Sequence, residues 1–375
     1  MFGVFLELLG RPVLCGKSLT STRWIYRYNR TSSLCKKGGI VNKINQYWTF
    51  GAMALAGLIL SGSAVAQQVN IEAAKKEGKV VVYGSVPPKS MGAINNGFEK
   101  KYGIKVEYWR ASSTKVMDRA LTEWRAGRPG FDVVEGNRGV QLIMRNNNMF
   151  GKFISPSSEK FPDKFKDKQG VMTPWRFLPI SILYNTELVK KGDTPKSFND
   201  LLNAKWKGQI SMPDPSRHTT TAQFLANLDK LIGEKAQPFV KGLANQRPHM
   251  VESLAPVANV LVRGEAKLGI TYVKYVKQYK GPIDYVMIDK FLADPNYANL
   301  SAKANNPNAA KLYIEYVTSP EGQKAIAQEG EFVLYPGINP DIHDAQTVAE
   351  RSIFMDTPDE KEFKKIMGEY HKLFF

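Results

Sequence analysis

The sequence predicts an α/β fold with two lobes. Short apolar runs, such as KVVVY at residues 79–83, alternate with helical patterns of 10–15 residues in the chain after residue 67. This alternation is typical of βαβ units that build a parallel sheet. A longer apolar run at residues 175–189, WRFLPISILYNTELV, has Pro179 in its middle. Because proline is excluded from an ordinary central strand, we interpret this run as a strand that crosses between two lobes.

The first half of the body supplies three strand–helix pairs. The predicted strands are residues 79–83, 104–109 and 131–135, and the predicted helices are residues 89–102, 114–126 and 138–147. Gly103 and Gly127 follow two of these helices, in the position where glycine commonly ends a helix. In open α/β sheets ligands bind at the carboxyl ends of the strands. Those ends are here Ser85, residues 111–113 and residues 136–137.

The second half continues the alternation. The predicted strands are residues 208–212 and 266–271, and the predicted helices are residues 195–204, 222–232, 257–264, 307–318, 320–329 and 359–373. A turn of sequence PDPSRHTTT at residues 213–221 leads into the helix at 222–232. Tyr272 opens the turn after the last of these strands.

Composition excludes several classes of protein. The 375 residues are 43% hydrophobic, 11% aromatic and 23% charged, which excludes a disordered or collagen-like chain. Only 2 cysteines are present, so the chain is neither a disulfide scaffold nor a Cys-ligated zinc protein. The net charge is +17, but no basic motif with interleaved aromatic residues accompanies it, so we expect no nucleic-acid partner. The body lacks a Gly-x-Ser-x-Gly elbow, a His-Glu-x-x-His motif and a Walker loop. An exported enzyme is therefore only an alternative, and no catalytic residue is assigned.

The first 66 residues are interpreted as a leader. Lys36, Lys37 and Lys43 precede a short apolar run that ends in Ala-Val-Ala at residues 64–66, and this pattern is typical of a cleaved secretory signal peptide. We assign the signal peptide to residues 41–66, with a membrane anchor as the alternative. Residues 1–40 do not fit a leader, and we expect the true start near Val41. The product is expected to be a soluble, periplasmic monomer.

Four segments, in this order, resemble the extracellular solute-binding proteins of ABC importers. They are YNTELV, SFNDLLNAKWKGQISMPDPS, LVRGEAKLGITY and NPNAAKLYIEYVTSPEGQKA, and the resemblance covers residues 67–345. The branch most similar to the chain is named for ferric-iron binding. The resemblance implies a two-lobe periplasmic-binding-protein type II fold, with a ligand cleft between lobes joined by crossing hinge strands. Lobe one would be residues 67–174 plus 283–375, and lobe two residues 180–280. It also implies that the chain is not an enzyme and that its partner is an ABC permease of the inner membrane.

Candidate ligand-binding residues lie in the loops that would face this cleft. They are Ser85, Ser112, Ser113 and Asn137 from lobe one, and Ser216, Arg217, His218, Thr219, Thr220, Tyr272 and Tyr275 from lobe two. Hydroxyl groups at the starts of helices, with Arg217 beside them, favour an anion. We therefore expect a small polar, anionic solute, such as a carboxylate, phosphonate or phosphate ester, that is captured by hinge closure. Plain helix capping by the serines and threonines is the competing interpretation.

The ferric branch offers a second interpretation, in which Fe³⁺ is the transported ligand. Ferric binders place two adjacent tyrosines near this part of the chain, together with a histidine and an acid from lobe one. Here Lys274 precedes Tyr275 where the pair would stand, and no histidine lies beside Ser85. A metal site of Tyr272, Tyr275, Glu135 and His218 is therefore kept as the alternative to an organic ligand that contacts the tyrosines. No resident cofactor is expected.

Overall fold

The computed structural model describes residues 69–375, which belong to one compact unit. The predicted upstream segment at 1–40 and the predicted signal peptide at 41–66 lie outside these residues. Within residues 69–375, no helix has both the length and the hydropathy that a membrane span requires.

The described residues contain a single sheet of eleven strands. The strands are β1 Lys79–Gly84, β2 Lys105–Arg110, β3 Val133–Asn137, β4 Pro174–Asn185, β5 Ile210–Pro213, β6 His249–Val251, β7 Leu268–Tyr272, β8 Ile283–Tyr285, β9 Phe291–Leu300, β10 Phe332–Val333 and β11 Ser352–Phe354. The order is β2-β1-β3-β9-β4-β7-β5-β6, with β8 and β10 paired to β4 and β11 paired to β9. Strands β1, β2 and β3 pair in parallel, as do β5, β6 and β7. Two parallel groups thus flank the antiparallel pair β9 and β4.

Thirteen helices are present among the described residues, besides short 3₁₀ turns. They are α1 Ile71–Glu77, α2 Pro88–Tyr102, α3 Ser113–Arg125, α4 Arg138–Asn146, α5 Thr219–Ala226, α6 Asp229–Ile232, α7 Ala236–Asn245, α8 Leu254–Val262, α9 Tyr275–Gln278, α10 Pro307–Thr318, α11 Pro320–Gln328, α12 Ala345–Glu350 and α13 Glu360–Phe374. Helices α2, α3 and α4 follow β1, β2 and β3, so the three predicted strand–helix pairs are confirmed. Gly103 has a φ of 70° at the end of α2, a conformation that side chains other than glycine rarely adopt.

The predicted crossing strand is β4, and it has neighbours on both edges. Pro179 opposes Ala293 of β9 on one edge, and its carbonyl accepts a hydrogen bond from the Val273 N–H on the other edge. Because the N and C=O of a strand residue face the same edge, the missing N–H of Pro179 lies on this second edge. There β10 pairs only as far as Phe177, and β7 begins to pair at Ile180. Proline is tolerated because no ladder hydrogen bond is needed in that gap.

Several predicted elements differ from the structure. Within the predicted helix at 195–204, residues Phe198–Leu202 form a 3₁₀ helix instead, preceded by a capping box in which the Asp200 carboxylate accepts a hydrogen bond from the Ser197 N–H. Helix α5 begins at Thr219, three residues earlier than expected, since His218 accepts a hydrogen bond from the Thr221 N–H and acts as its N-cap. Strand β9 was not predicted. Its sequence FLADPNYANL contains Asp294, Pro295 and asparagines, yet every residue in it is buried.

The hydrophobic core is divided between the two sides of the central strands. One cluster includes Ile210 and Leu268 from β5 and β7, and two others include Val80, Val82 and Val134 from β1 and β3. The C-terminal helix α13 packs on α5 and α7, so it contacts helices assigned by sequence to lobe two. The lobe boundaries stay a prediction. The contact of α13 with α5 and α7 concerns the assignment of the C-terminal residues to lobe one.

Candidate functional site

Five helices begin around one cavity of about 50 Å³. Its wall includes the residue that precedes each of them: Pro87 for α2, Ser112 for α3, Asn137 for α4, His218 for α5 and Ser253 for α8. The first N–H groups of a helix have no partner within the helix, and the helix dipole makes this end positive. The cavity, which we call the cleft, therefore lies in a field that favours negative charge.

The charged side chains of the cleft wall are all cationic. Among the described residues, the wall contains Arg110, Arg176 and Lys274 and no aspartate or glutamate. Arg110 is exposed at the end of β2, whereas Arg176 and Lys274 are buried. Hydroxyl groups of Ser85, Ser113 and other wall residues supply further hydrogen-bonding groups. An anion would find charge and donors on several sides.

A buried ion network supports the two buried cations from behind the wall. Arg176 donates to Glu331 at 2.7 Å and to Asn296 at 3.0 Å, and it lies 3.4 Å from Glu135. Lys274 donates to the other oxygen of Glu331 at 2.5 Å. Burial alone would raise the pKa of Glu331, but the two cations outweigh burial and lower that pKa to about 2. Burial lowers the pKa of Lys274 to about 8, although Glu331 opposes the shift. Lys274 is therefore mostly charged at pH 7.

The two tyrosines of the predicted metal site lie on the cleft wall. The ring centroids of Tyr272 and Tyr275 are 5.9 Å apart, and the Lys274 ammonium is 5.7 Å from one and 5.3 Å from the other. Burial raises the pKa of both phenols, which keeps them protonated. Burial also lowers the pKa of His218 to about 4, so this imidazole is neutral and able to act as a ligand.

Glu135, the fourth residue of the metal alternative, is already engaged. Its Oε1 accepts hydrogen bonds from the N–H groups of Ser85 and Val86, and its Oε2 faces Arg176. It does not line the cleft. Within residues 69–375, no group of three or more His, Cys, Asp or Glu side chains is arranged to hold a metal ion.

The structure brings eight of the eleven candidate ligand-binding residues to the cleft wall. These are Ser85, Ser112, Ser113, Asn137, His218, Thr220, Tyr272 and Tyr275. The other three, Ser216, Arg217 and Thr219, are not on the wall. Ser216 donates to Asp214 at 2.6 Å, and Arg217 is 83% exposed and lies 3.6 Å from the same carboxylate. Thr219 is buried within the first turn of α5.

Sequence reasoning missed several residues of the wall, including Arg176, Lys274, Asn296 and Ser253. A signal for Arg176 was present, because this charged residue lies inside the apolar run WRFLPISIL. Charged residues are almost never fully buried unless they are paired. Lys274 was noticed only as a departure from a tyrosine pair. Asn296 lies on β9, which was not predicted, and therefore gave no signal.

Known proteins resemble this chain over most of its described length. An uncharacterized protein of Haemophilus influenzae (strain Rd) is 27% identical over 297 residues, which are 75% of this chain and 81% of that protein. The Fe(3+)-binding periplasmic protein of Serratia marcescens is 20% identical over 76% of this chain and 87% of its own length. The solved structure of the periplasmic binding protein AfuA from Actinobacillus pleuropneumoniae, with exogenous fructose-6-phosphate bound, has a TM-score of 0.65 and is 23% identical. The match covers 79% of this chain and 96% of AfuA.

The fold and the family follow from these similarities together with the topology. The structural likeness shows the two-lobe type II fold of periplasmic binding proteins, as the sequence predicted. The profile of the bacterial extracellular solute-binding protein family matches residues 128–357, which is more than half of the chain. The chain belongs to the bacterial extracellular solute-binding proteins.

Proposed function

We propose that this chain captures a small anionic organic solute in the cleft and delivers it to an ABC permease. Members of the family are substrate-binding components of ABC transporters, and named relatives are periplasmic. The solute would be a carboxylate, a phosphonate or a phosphate ester. The observation that carries the proposal is the cleft wall, where five helix N-termini meet Arg110, Arg176 and Lys274 and no carboxylate is present among the described residues.

The size of the cleft supports a mechanism that depends on hinge motion. A cavity of about 50 Å³ has room for only a few water molecules, whereas ligand pockets usually measure about 300–1,000 Å³. The solute must therefore enter a more open form, and β4 and β9 are the strands that would bend. Shifting an open–closed balance from 1:99 to 99:1 takes about 5.5 kcal/mol of differential binding. Two or three charge-assisted hydrogen bonds, each worth about 1.5–3 kcal/mol, would supply it.

A thermal-shift panel tests this proposal. The purified protein would be heated with inorganic phosphate, 2-aminoethylphosphonate, fructose-6-phosphate, succinate and a neutral sugar. A ligand at 100 times its dissociation constant stabilises by about 2.7 kcal/mol, which gives a clear shift. We expect stabilisation by one anionic class and none by the neutral sugar. Stabilisation by the neutral sugar alone would overturn the proposed charge selectivity.

Fe³⁺ is the second candidate ligand, because Tyr272, Tyr275 and His218 lie on the same wall. Phenolate oxygen and imidazole nitrogen are donors that ferric iron accepts. Two features oppose it: Lys274 lies beside both rings, and Glu135 is held by backbone N–H groups and Arg176. A relative of this chain is named as an Fe(3+)-binding protein, which supports iron as the second candidate.

Visible absorption separates the two candidates. Ferric citrate added to the purified protein would give a phenolate–iron charge-transfer band if tyrosines bind the metal. We expect no such band, and we expect the anion-dependent thermal shift to survive a chelator. A band that disappears in Tyr272→Phe would favour iron as the transported ligand.

A further inference from the structure

A second pocket, of about 110 Å³, lies on the other side of β9 from the cleft. Pro295 and Tyr297 line it, whereas Asn296 between them lines the cleft, because successive side chains of a strand point to opposite faces. The two sites also share the start of α4, since Asn137 lines the cleft and Arg138 lines the second pocket. We call this second site the rear pocket.

Two polar groups of the rear pocket have no partner within residues 69–375. Arg138 is half-buried and forms no salt bridge or side-chain hydrogen bond there. Tyr297 is 6% exposed, and its hydroxyl makes no hydrogen bond in the same part of the chain. Burial raises the pKa of Tyr297 to about 12, and the nearby Arg138 charge opposes that shift. The Tyr297 hydroxyl and the Arg138 guanidinium are therefore both free to hydrogen-bond a ligand or water that enters the rear pocket.

The charge of the rear pocket is positive. Its wall includes Arg138, Arg145 and Lys166 against one carboxylate, Asp167. That carboxylate is already occupied, because it accepts from the N–H groups of Val171 and Met172 at 2.9 and 3.0 Å. It also lies 3.8 Å from Arg145. Lys166 donates to Asp163 at 2.8 Å, so Arg138 is the cation of this wall without a salt bridge among the described residues.

The rest of the rear pocket is apolar. The apolar wall is made by Leu142, Phe165, Met172, Pro295 and Phe354. A cavity of about 150 Å³ with such a lining binds benzene, so one of about 110 Å³ would take a shorter apolar group. The wall thus combines a cationic and hydroxylic end with a small hydrophobic end.

We propose that the rear pocket binds a small carboxylate that has a short apolar chain. The carboxylate would accept hydrogen bonds from Arg138 and Tyr297, and the chain would lie among the apolar side chains of the wall. This site is separate from the cleft and does not depend on the identity of the transported solute.

Butyrate is a suitable probe, and butyramide is its neutral counterpart of nearly the same shape. The purified protein would be labelled with ¹³C at the methionine methyl groups and titrated with each compound. Met172 lines the rear pocket, and its signal is identified by its loss in Met172→Leu. We expect butyrate to shift the Met172 signal in a saturable way and butyramide to bind at least tenfold more weakly.

Three variants complete the test. Arg138→Gln and Tyr297→Phe should each weaken butyrate binding, the first by at least tenfold. Arg128→Gln, which replaces an exposed arginine elsewhere, should leave it unchanged. The proposal fails if butyrate does not shift Met172, if butyramide binds equally well, or if Arg138→Gln binds butyrate as the parent protein does.

Discussion

Asn137 donates a hydrogen bond of 2.8 Å to the Thr220 hydroxyl, which in turn donates to Asp294 at 3.3 Å. All three residues are buried. The chain of bonds joins the end of β3, the first turn of α5 and strand β9. By the predicted lobe boundaries, Asn137 belongs to lobe one and Thr220 to lobe two. The contact therefore has the position of a latch between the two sides of the cleft.

Thr220→Val should weaken this latch while keeping the shape of the side chain. The change removes a donor for Asp294 and an acceptor for Asn137, so each buried group loses a partner. We expect the free energy of unfolding to fall by about 1–3 kcal/mol, measured by urea denaturation. Thr220→Ser retains the hydroxyl and should lose less. A larger loss in Thr220→Ser than in Thr220→Val would show that the methyl group stabilises this position more than the hydrogen bonds do.

Asp294 should make the stability of the protein depend on pH. Burial raises the pKa of this carboxyl from its ordinary 3.8 to about 7, although hydrogen bonds from the Arg138 backbone N–H and the Thr220 hydroxyl oppose the shift. The folded state then binds the proton more tightly than the unfolded state. The contribution of Asp294 to the free energy of unfolding is present below pH 4 and is lost as the pH rises through about 7. Three pH units correspond to about 4 kcal/mol.

The comparison with Asp294→Asn isolates this effect, because the amide does not ionise. The free energy of unfolding of the parent protein minus that of the variant should decrease between pH 4 and pH 7. His218 acts in the opposite sense: its pKa is lowered to about 4, so its contribution is lost as the pH falls. That contribution is common to both proteins and cancels in the difference. A difference that stays constant from pH 4 to pH 8 would contradict a raised pKa at Asp294.

Local patterns were enough to predict the strand–helix pairs, and together with the family resemblance they predicted eight of the seventeen residues of the cleft wall. Ser112, Asn137 and Thr220 were found because parallel strands place their carboxyl ends, and the helices after them, at one edge of the sheet. Arg217 seemed as good a candidate as His218 because both lie in one turn. Only the fold decides that His218 turns inward and caps α5 while Arg217 points to solvent.

Contacts between residues that are far apart in the sequence could not be predicted from local patterns. Glu331 is more than 50 residues from Lys274 in sequence and more than 150 from Arg176, yet it pairs with both. Strand β9 combines a proline, an aspartate and asparagines that are unusual in strands. They are tolerated because their polar side chains find partners such as Arg176, Thr220 and Gln141 in the folded protein.

Glu331→Gln should strongly destabilise the protein. Glu331 is the carboxylate shared by Arg176 and Lys274, and removing one partner from a buried ion pair typically costs about 3–5 kcal/mol. Adding Lys274→Met should restore part of the loss, because the unpaired ammonium is removed as well. Glu360→Gln, at an exposed pair with Lys364, should cost less than about 1 kcal/mol. Urea denaturation measures these variants, Lys274→Met alone and the parent protein, and strict additivity of the two single changes in the double variant would contradict a direct coupling.

Arg110, at the end of β2, and Arg217, in the turn at 213–221, make a matched pair for testing whether the solute binds at the cleft wall. Both are exposed arginines, but Arg110 lines the cleft and Arg217 does not. Arg110→Gln should weaken binding of the solute that gives the largest thermal shift by about tenfold, the equivalent of one charge-assisted hydrogen bond. Arg217→Gln should change the affinity less than twofold, because its guanidinium faces Asp214 and solvent. Calorimetric titration of both variants measures the difference. If Arg217→Gln abolishes binding while Arg110→Gln is silent, the turn at 213–221 must move into the cleft when the solute binds.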